Sequence, residues 1–282
     1  MDALFDRYQA DGYVVLPGFK SVDEIAALRQ RALQIVQDWE PGDRRGVFST
    51  HDQARTADAE FLASGDAIQC FFEAEALDAD GRLTRPQSEA VNKIGHALHD
   101  LDPVFDRFSH GPALAAVARS LGLARCQLWQ SMFIFKPPSI GGEVKWHQDA
   151  TFLHTTPCGV TGFWFALEDA TRDNGCLWVQ PGGHTGPLRE RFVRCSGADG
   201  LDQVRMQVLD ATPWPDGRNA VALEVPAGTL VCLHGLLPHY SAPNRSARSR
   251  HAYTLHAVDA GSAWAADNWL RRRPELPLRG FE

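Results

Sequence analysis

The spacing of apolar and polar positions changes along the chain. Near the start, Gly12-Tyr13-Val14-Val15-Leu16-Pro17-Gly18-Phe19 is a β-branched and aromatic run closed by Pro and Gly, which predicts a short strand. Ser21-Val22-Asp23-Glu24 has capping-box spacing. Ile25, Leu28, Ala32, Ile35 and Val36 follow at helical intervals, predicting a helix with one apolar face. Residues 41–66 are rich in Gly, Asp, Arg, Ser and Thr with little periodicity, and read as a long loop or a pair of short helices. Further helices are expected over Ala90–His99 and Pro112–Leu121.

From Cys126 onward the pattern is β-prone. Strands are expected at Cys126–Phe135, Val160–Leu167, Cys176–Val179, Val204–Val208, Val221–Val225, Thr229–Leu233 and Ala252–His256. Asp173-Asn174-Gly175, Pro181-Gly182-Gly183 and Pro226-Ala227-Gly228 supply turn chemistry between them. Many short strands so punctuated favour a mainly β, closed or double-sheet architecture over a parallel α/β sheet. The expectation is one domain over 1–282, a helical N-terminal part (1–125) packed on a β core (126–260).

Composition narrows the function. Of 282 residues, 44% are hydrophobic, and 8 Trp with 15 Phe argue for a packed core, not disorder. A net charge of −7 disfavours a nucleic-acid partner, which needs a basic face. No run is long enough for a membrane helix, and the acidic start Met1-Asp2-Ala3-Leu4-Phe5-Asp6 lacks the apolar stretch of a signal peptide. The six cysteines contain no CxxC pair, which suits reduced thiols in a cytoplasmic protein. A small-molecule enzyme or binder is expected, and the oligomeric state is not legible.

The chemistry centres on His147-Gln148-Asp149. In an extended chain the period of two puts His147 and Asp149 on one face and Gln148 on the other. An imidazole and a carboxylate side by side are two ligands for a divalent metal. His239, just beyond the apolar strand ending at Leu233, is the best third. Two His and one carboxylate form the pattern of non-haem Fe(II) oxygenases. Downstream, Arg245, Arg248 and Arg250 lead into the last strong strand. Such an arginine can clamp a cosubstrate carboxylate, or the three can be a solvated cluster. A zinc hydrolase on the same ligands and a catalytically silent small-molecule scaffold are the alternatives. The first gives Arg250 no task, and the second leaves an intact ligand set unexplained.

Several motifs in order carry a resemblance. They are Asp11–Phe19, Asn92–His99, Gln130–Lys136, Gly141–Val144 running into His147–Asp149, Glu168–Thr171, Asn174–Trp178, His239–Tyr253 and Asp267–Leu270. On these the chain resembles the phytanoyl-CoA dioxygenase family of Fe(II)/2-oxoglutarate-dependent oxygenases, over nearly its whole length. The resemblance implies a double-stranded β-helix (jelly-roll, cupin-like) core with iron at its open mouth. It also implies decarboxylation of 2-oxoglutarate by O2 coupled to hydroxylation of a small organic substrate. His147, Asp149 and His239 would ligate Fe(II). Arg250 and Ser241 would hold the distal carboxylate of 2-oxoglutarate, and Lys93, Met132, Gln148 and Trp164 fall on cosubstrate-contacting positions. Related halogenases lack the carboxylate ligand, so Asp149 implies oxygen transfer. Lys145 and Trp146 depart from the smaller residues that precede the motif in a similar family member, which leaves the substrate open. The stretch from Arg44 to Phe72 is expected to cover the mouth.

Overall fold

Gly12, at φ +81°, turns the chain from helix α1 (Ala3–Asp11) into strand β1 (Tyr13–Leu16), which leads to helix α2 (Val22–Asp38). Ser21 caps α2: its hydroxyl accepts from the Glu24 N–H at 3.2 Å, and the Ser21 N–H donates to the Glu24 carboxylate at 2.9 Å. Two amides at the helix start are thereby paired. Ile25, Leu28, Ala32 and Val36 are buried along one face, as their spacing predicts.

The computed structural model describes residues 3–42, 46–48, 59–197 and 202–282. Residues 43–45 and 49–58 of the expected 41–66 loop therefore lie outside the described residues. Next come β2 (Val47–Phe48), α3 (Ala59–Ala63), β3 (Ile68–Glu73), β4 (Val91–His96), α4 (Leu98–Leu101), α5 (Pro103–Ser109) and α6 (Pro112–Ser120). The helix expected over Ala90–His99 is instead β4 followed by one helical turn. Strand β4 is paired on both edges, with β3 and with the following β5 (Cys126–Ile134), and buried on both faces. A strand covered on both sides loses its alternation, which leaves Ile94 and Leu98 at a misleading i,i+4 spacing.

The remaining strands are β6 (Val144–His147), β7 (Thr155–Thr156), β8 (Val160–Ala166), β9 (Leu177–Val179), β10 (Glu190–Ser196), β11 (Asp202–Val208), β12 (Val221–Leu223), β13 (Leu230–His234), β14 (His239–Ser241), β15 (Ala252–Asp259) and β16 (Ala263–Trp264). The fold is mainly β, with antiparallel sheets and flanking helices, of the cupin-like jelly-roll type. An eight-stranded sheet runs β1-β13-β8-β15-β5-β4-β3-β2, and a four-stranded sheet runs β12-β9-β14-β6. The N-terminal part is thus not purely helical, because β1 to β4 belong to the large sheet.

Alternation on the large sheet separates two jobs. Phe133, Phe163, Phe165, Tyr253 and Leu255 face one way and pack with Leu28, Val36, Phe105, Phe108 and Leu114 of the helices. On the other face, Trp164, Val231 and Leu233 pack against Leu177, Val179 and Leu223 of the small sheet. All six cysteines are unpaired. Among the described residues, no helix is long and apolar enough to cross a membrane.

Candidate metal centre and active site

A cavity of about 680 Å³ opens between the two sheets, lined by residues of β4, β5, β6, β8, β14 and β15. His147 ends β6 and His239 begins β14, and the two are cross-strand register partners. Their ring centroids lie 4.0 Å apart. Asp149 Oδ1 is 3.9 Å from His147 Nε2 and 3.6 Å from His239 Nε2. The three donor atoms all fall within 4.8 Å of one another, and this is the one such group among the described residues.

Hydrogen bonding fixes both tautomers. His147 Nδ1 lies 2.8 Å from the Lys145 carbonyl, and His239 Nδ1 lies 3.0 Å from the Leu237 carbonyl. A carbonyl only accepts, so each Nδ1 carries the proton and each Nε2 presents a lone pair to the shared point. Burial, reinforced by His239, pushes the His147 pKa down to about 3, so the imidazole is neutral. Burial alone would raise Asp149, but His256, His239 and His147 around it outweigh that and hold its carboxyl below the usual range. Two imidazole Nε2 atoms and an ionised carboxylate are a donor set that fits a divalent transition metal.

The far oxygen of the same carboxylate is held separately. His256 Nε2, on β15, is 3.5 Å from Asp149 Oδ2. On the neighbouring strand β8, a Cβ at Gly162 would sit 2.7 Å from that oxygen, so only glycine leaves the carboxylate its place. In the sequence His256 flanks the metal segment, which suits a structural residue or one that supports a ligand. Its signal is the period of β15, where Thr254 and His256 face the cavity while Tyr253 and Leu255 enter the core.

Arg250 is 1% exposed. Its Nε donates to the Gly175 carbonyl at 3.0 Å and its Nη2 to Ser241 Oγ at 3.3 Å, while Ser241 Oγ donates to the same carbonyl at 2.9 Å. Arg250 Nη1 is buried with no partner. Burial lowers this guanidinium to about 10, still charged at neutral pH. Gly175, at φ +83°, makes room: a Cβ there would meet Lys136 Cε at 2.3 Å. A charged, orphaned N–H donor lining a cavity fits an incoming carboxylate.

Lys93, Met132 and Trp164 also line the cavity. Arg250 packs 5.5 Å from the Trp164 ring, and Lys93 Nζ lies 3.9 Å from Met132 Sδ. Burial lowers the Lys93 ammonium to about 7, with Glu73 opposing. Gln148 is the exception. Its side chain points away from the cavity, donating to the Leu236 and Pro187 carbonyls at 2.8 and 3.0 Å and accepting from Arg189 N at 3.0 Å. With its amide engaged there, it braces the backbone between His147 and Asp149 and offers no side-chain atom to a cosubstrate.

Outside the centre, His184 bonds the Gln9 carbonyl at 3.1 Å and packs on His234, tying α1 to the sheet. Trp146 stacks on Tyr240 at 5.5 Å beside the ligands, so the unusual Lys145-Trp146 pair does shape the cavity lining.

The phytanoyl-CoA dioxygenase (PhyH) family profile matches residues 8–252. The chain is 45% identical over 279 residues to phytanoyl-CoA dioxygenase domain-containing protein 1 of Bos taurus, covering 96% of this chain and 95% of that one. It is 42% identical over 268 residues to the phytanoyl-CoA dioxygenase of Arabidopsis thaliana, covering 95% and 92%. Two solved structures share the fold. One is the epimerase SnoN in complex with Fe3+, alpha ketoglutarate and nogalamycin RO (TM-score 0.64, 18% identity, 99% of this chain and 92% of that one). The other is EctD from S. alaskensis with bound Fe (TM-score 0.60, 22% identity, 96% and 80%). The chain belongs to the phytanoyl-CoA dioxygenase family.

Proposed function

We propose that the protein is an Fe(II)/2-oxoglutarate-dependent dioxygenase. It would convert 2-oxoglutarate, O2 and a substrate C–H bond into succinate, carbon dioxide and a hydroxylated product. The observation that carries this reading is the placement of two sites in one cavity. These are the convergent His147–Asp149–His239 donors and the orphaned Nη1 of Arg250. A zinc hydrolase would use the first and leave the second without a task.

His147 Nε2, Asp149 Oδ1 and His239 Nε2 would hold the iron, which when bound supplies the redox chemistry that activates O2. Three protein ligands leave positions for the 2-oxoacid end of the cosubstrate. Arg250 receives its distal carboxylate in a charge-assisted pair while Ser241 assists by holding Nη2, and Lys93 adds a cation facing the dianion. Trp164, Met132 and Leu233 keep that end of the cavity dry, which strengthens these pairings.

Succinate release, followed with Fe(II), 2-oxoglutarate and O2 across a panel of small organic substrates, tests the reading. Release that requires iron and is abolished in His147→Ala and Arg250→Met supports it. Metal-loaded protein that neither binds nor turns over 2-oxoglutarate overturns it.

A further inference from the structure

We propose that the part of the cavity around Gln130 and His96 binds a neutral, largely apolar, ring-bearing substrate through one hydroxyl or amide group. This rests on the dioxygenase reading and extends it to the substrate class. The placement follows from strand order. Within β15-β5-β4, Gln130 is the register partner of His256, and His96 ends β4 opposite Ser131, next to Gln130. His256 touches Asp149, so His256, Gln130 and His96 lead away from the metal ligand on successive strands. Arg250 lies before the opposite end of β15.

The polar groups here are unsatisfied in a complementary way. Gln130 is 5% exposed and lines the cavity, and no group among the described residues bonds its side-chain amide. Ser64 Oγ lies 2.6 Å from the Phe61 carbonyl and 2.8 Å from His96 Nδ1. Its single proton goes to the carbonyl, which can only accept, so His96 Nδ1 must be the donor to Ser64. The remaining nitrogen, His96 Nε2, is therefore a bare acceptor. Burial, with Lys93 and His256 nearby, holds His96 well below its usual pKa and keeps it so. One hydroxyl satisfies both groups, donating to His96 Nε2 and accepting from the Gln130 amide. A carboxylate has no proton for that lone pair and would leave it unpaired, while the nearby Lys93 is taken by the 2-oxoglutarate dianion in the proposed reading.

The walls specify the body of the ligand. Phe61 stacks on Trp269 at 4.4 Å and meets Phe192 edge-on at 6.4 Å. Phe192 contacts Phe152 at 5.7 Å, and Phe152 contacts the ligand His147 at 6.0 Å. A continuous aromatic wall thus runs from beside His96 to the metal centre, suited to stacking a ring against the reacting position.

The test titrates 2-naphthol, 2-methoxynaphthalene and 2-naphthoate into anaerobic protein loaded with Fe(II) and 2-oxoglutarate, by calorimetry. The expected result is that 2-naphthol binds on the order of tenfold more tightly than the ether and the carboxylate. Gln130→Leu and His96→Phe should each erase that preference while the iron–cosubstrate absorption band persists. An ether or carboxylate that binds as well as the alcohol, or a preference surviving in both variants, overturns the inference. Loss of the band in the wild type, with the naphthol preference intact in metal-free protein, would instead remove the dioxygenase reading alone.

Discussion

His147 and His239 face each other as register partners across β6 and β14, and each ties its Nδ1 to the carbonyl two residues earlier in the chain. One backbone device, used on both strands, thus sets two lone pairs toward Asp149. The ladder of the small sheet preorganises the two imidazoles, while Asp149 opens the 3-10 turn Asp149–Thr151 that follows β6.

Loss of one imidazole should therefore remove metal binding while sparing the fold. His239→Ala is expected to weaken Co(II) or Fe(II) binding by at least about 100-fold. In the wild type, metal at 100 times Kd should stabilise the fold by about 2.7 kcal/mol, read as a rise in Tm. That rise should vanish in the variant.

Asp149 depends on its far oxygen having both space and a partner. Gly162→Ala places a Cβ 2.7 Å from Oδ2, and His256→Phe removes the imidazole 3.5 Å away. Each should lower metal affinity by roughly 10- to 100-fold, with a changed Co(II) absorption spectrum. An unchanged spectrum in both would show that Asp149 is oriented without them.

Gln148 should behave as a brace. Gln148→Leu leaves the Pro187 and Leu236 carbonyls and the Arg189 amide without their partner, at a cost of about 2–4 kcal/mol in denaturant unfolding. Metal affinity should fall with stability. A loss of 2-oxoglutarate affinity at full metal occupancy and unchanged stability would return the side chain to a contact role.

Cosubstrate binding should weaken above neutral pH. With its pKa lowered to about 7, Lys93 is protonated below pH 7 and loses its charge as pH rises through 7. A bound dianion favours the charged form and raises that pKa, so binding takes up a proton. Affinity should be highest below pH 7, and Kd should rise by up to about tenfold per pH unit above it. The slope should be absent in Lys93→Met, measured by titration between pH 6.5 and 8.5.

What the chain discloses depends on the range of the interaction. The α2 cap and its buried face are local, and they read directly from Ser21, Glu24 and the spacing of Ile25 to Val36. The His147–Asp149 pair is local too, set by the period of an extended chain, and the same period sends Gln148 to the opposite face. The structure follows that period and turns the Gln148 side chain toward the Pro187 and Leu236 carbonyls. Strand β4 was hidden because burial on both faces erases alternation. The Gln130–His96 row, and His256 behind Asp149, exist only through strand pairing between distant segments. No local pattern marks them.

In the proposed reading one cavity joins an iron site to a carboxylate clamp. Anaerobic Fe(II) and 2-oxoglutarate titration, watching the weak visible metal-to-ligand charge-transfer band, tests it most directly. The expected result is a band in the wild type that weakens sharply in Arg250→Met, with iron still bound. Iron binding with no band on addition of 2-oxoglutarate would contradict it.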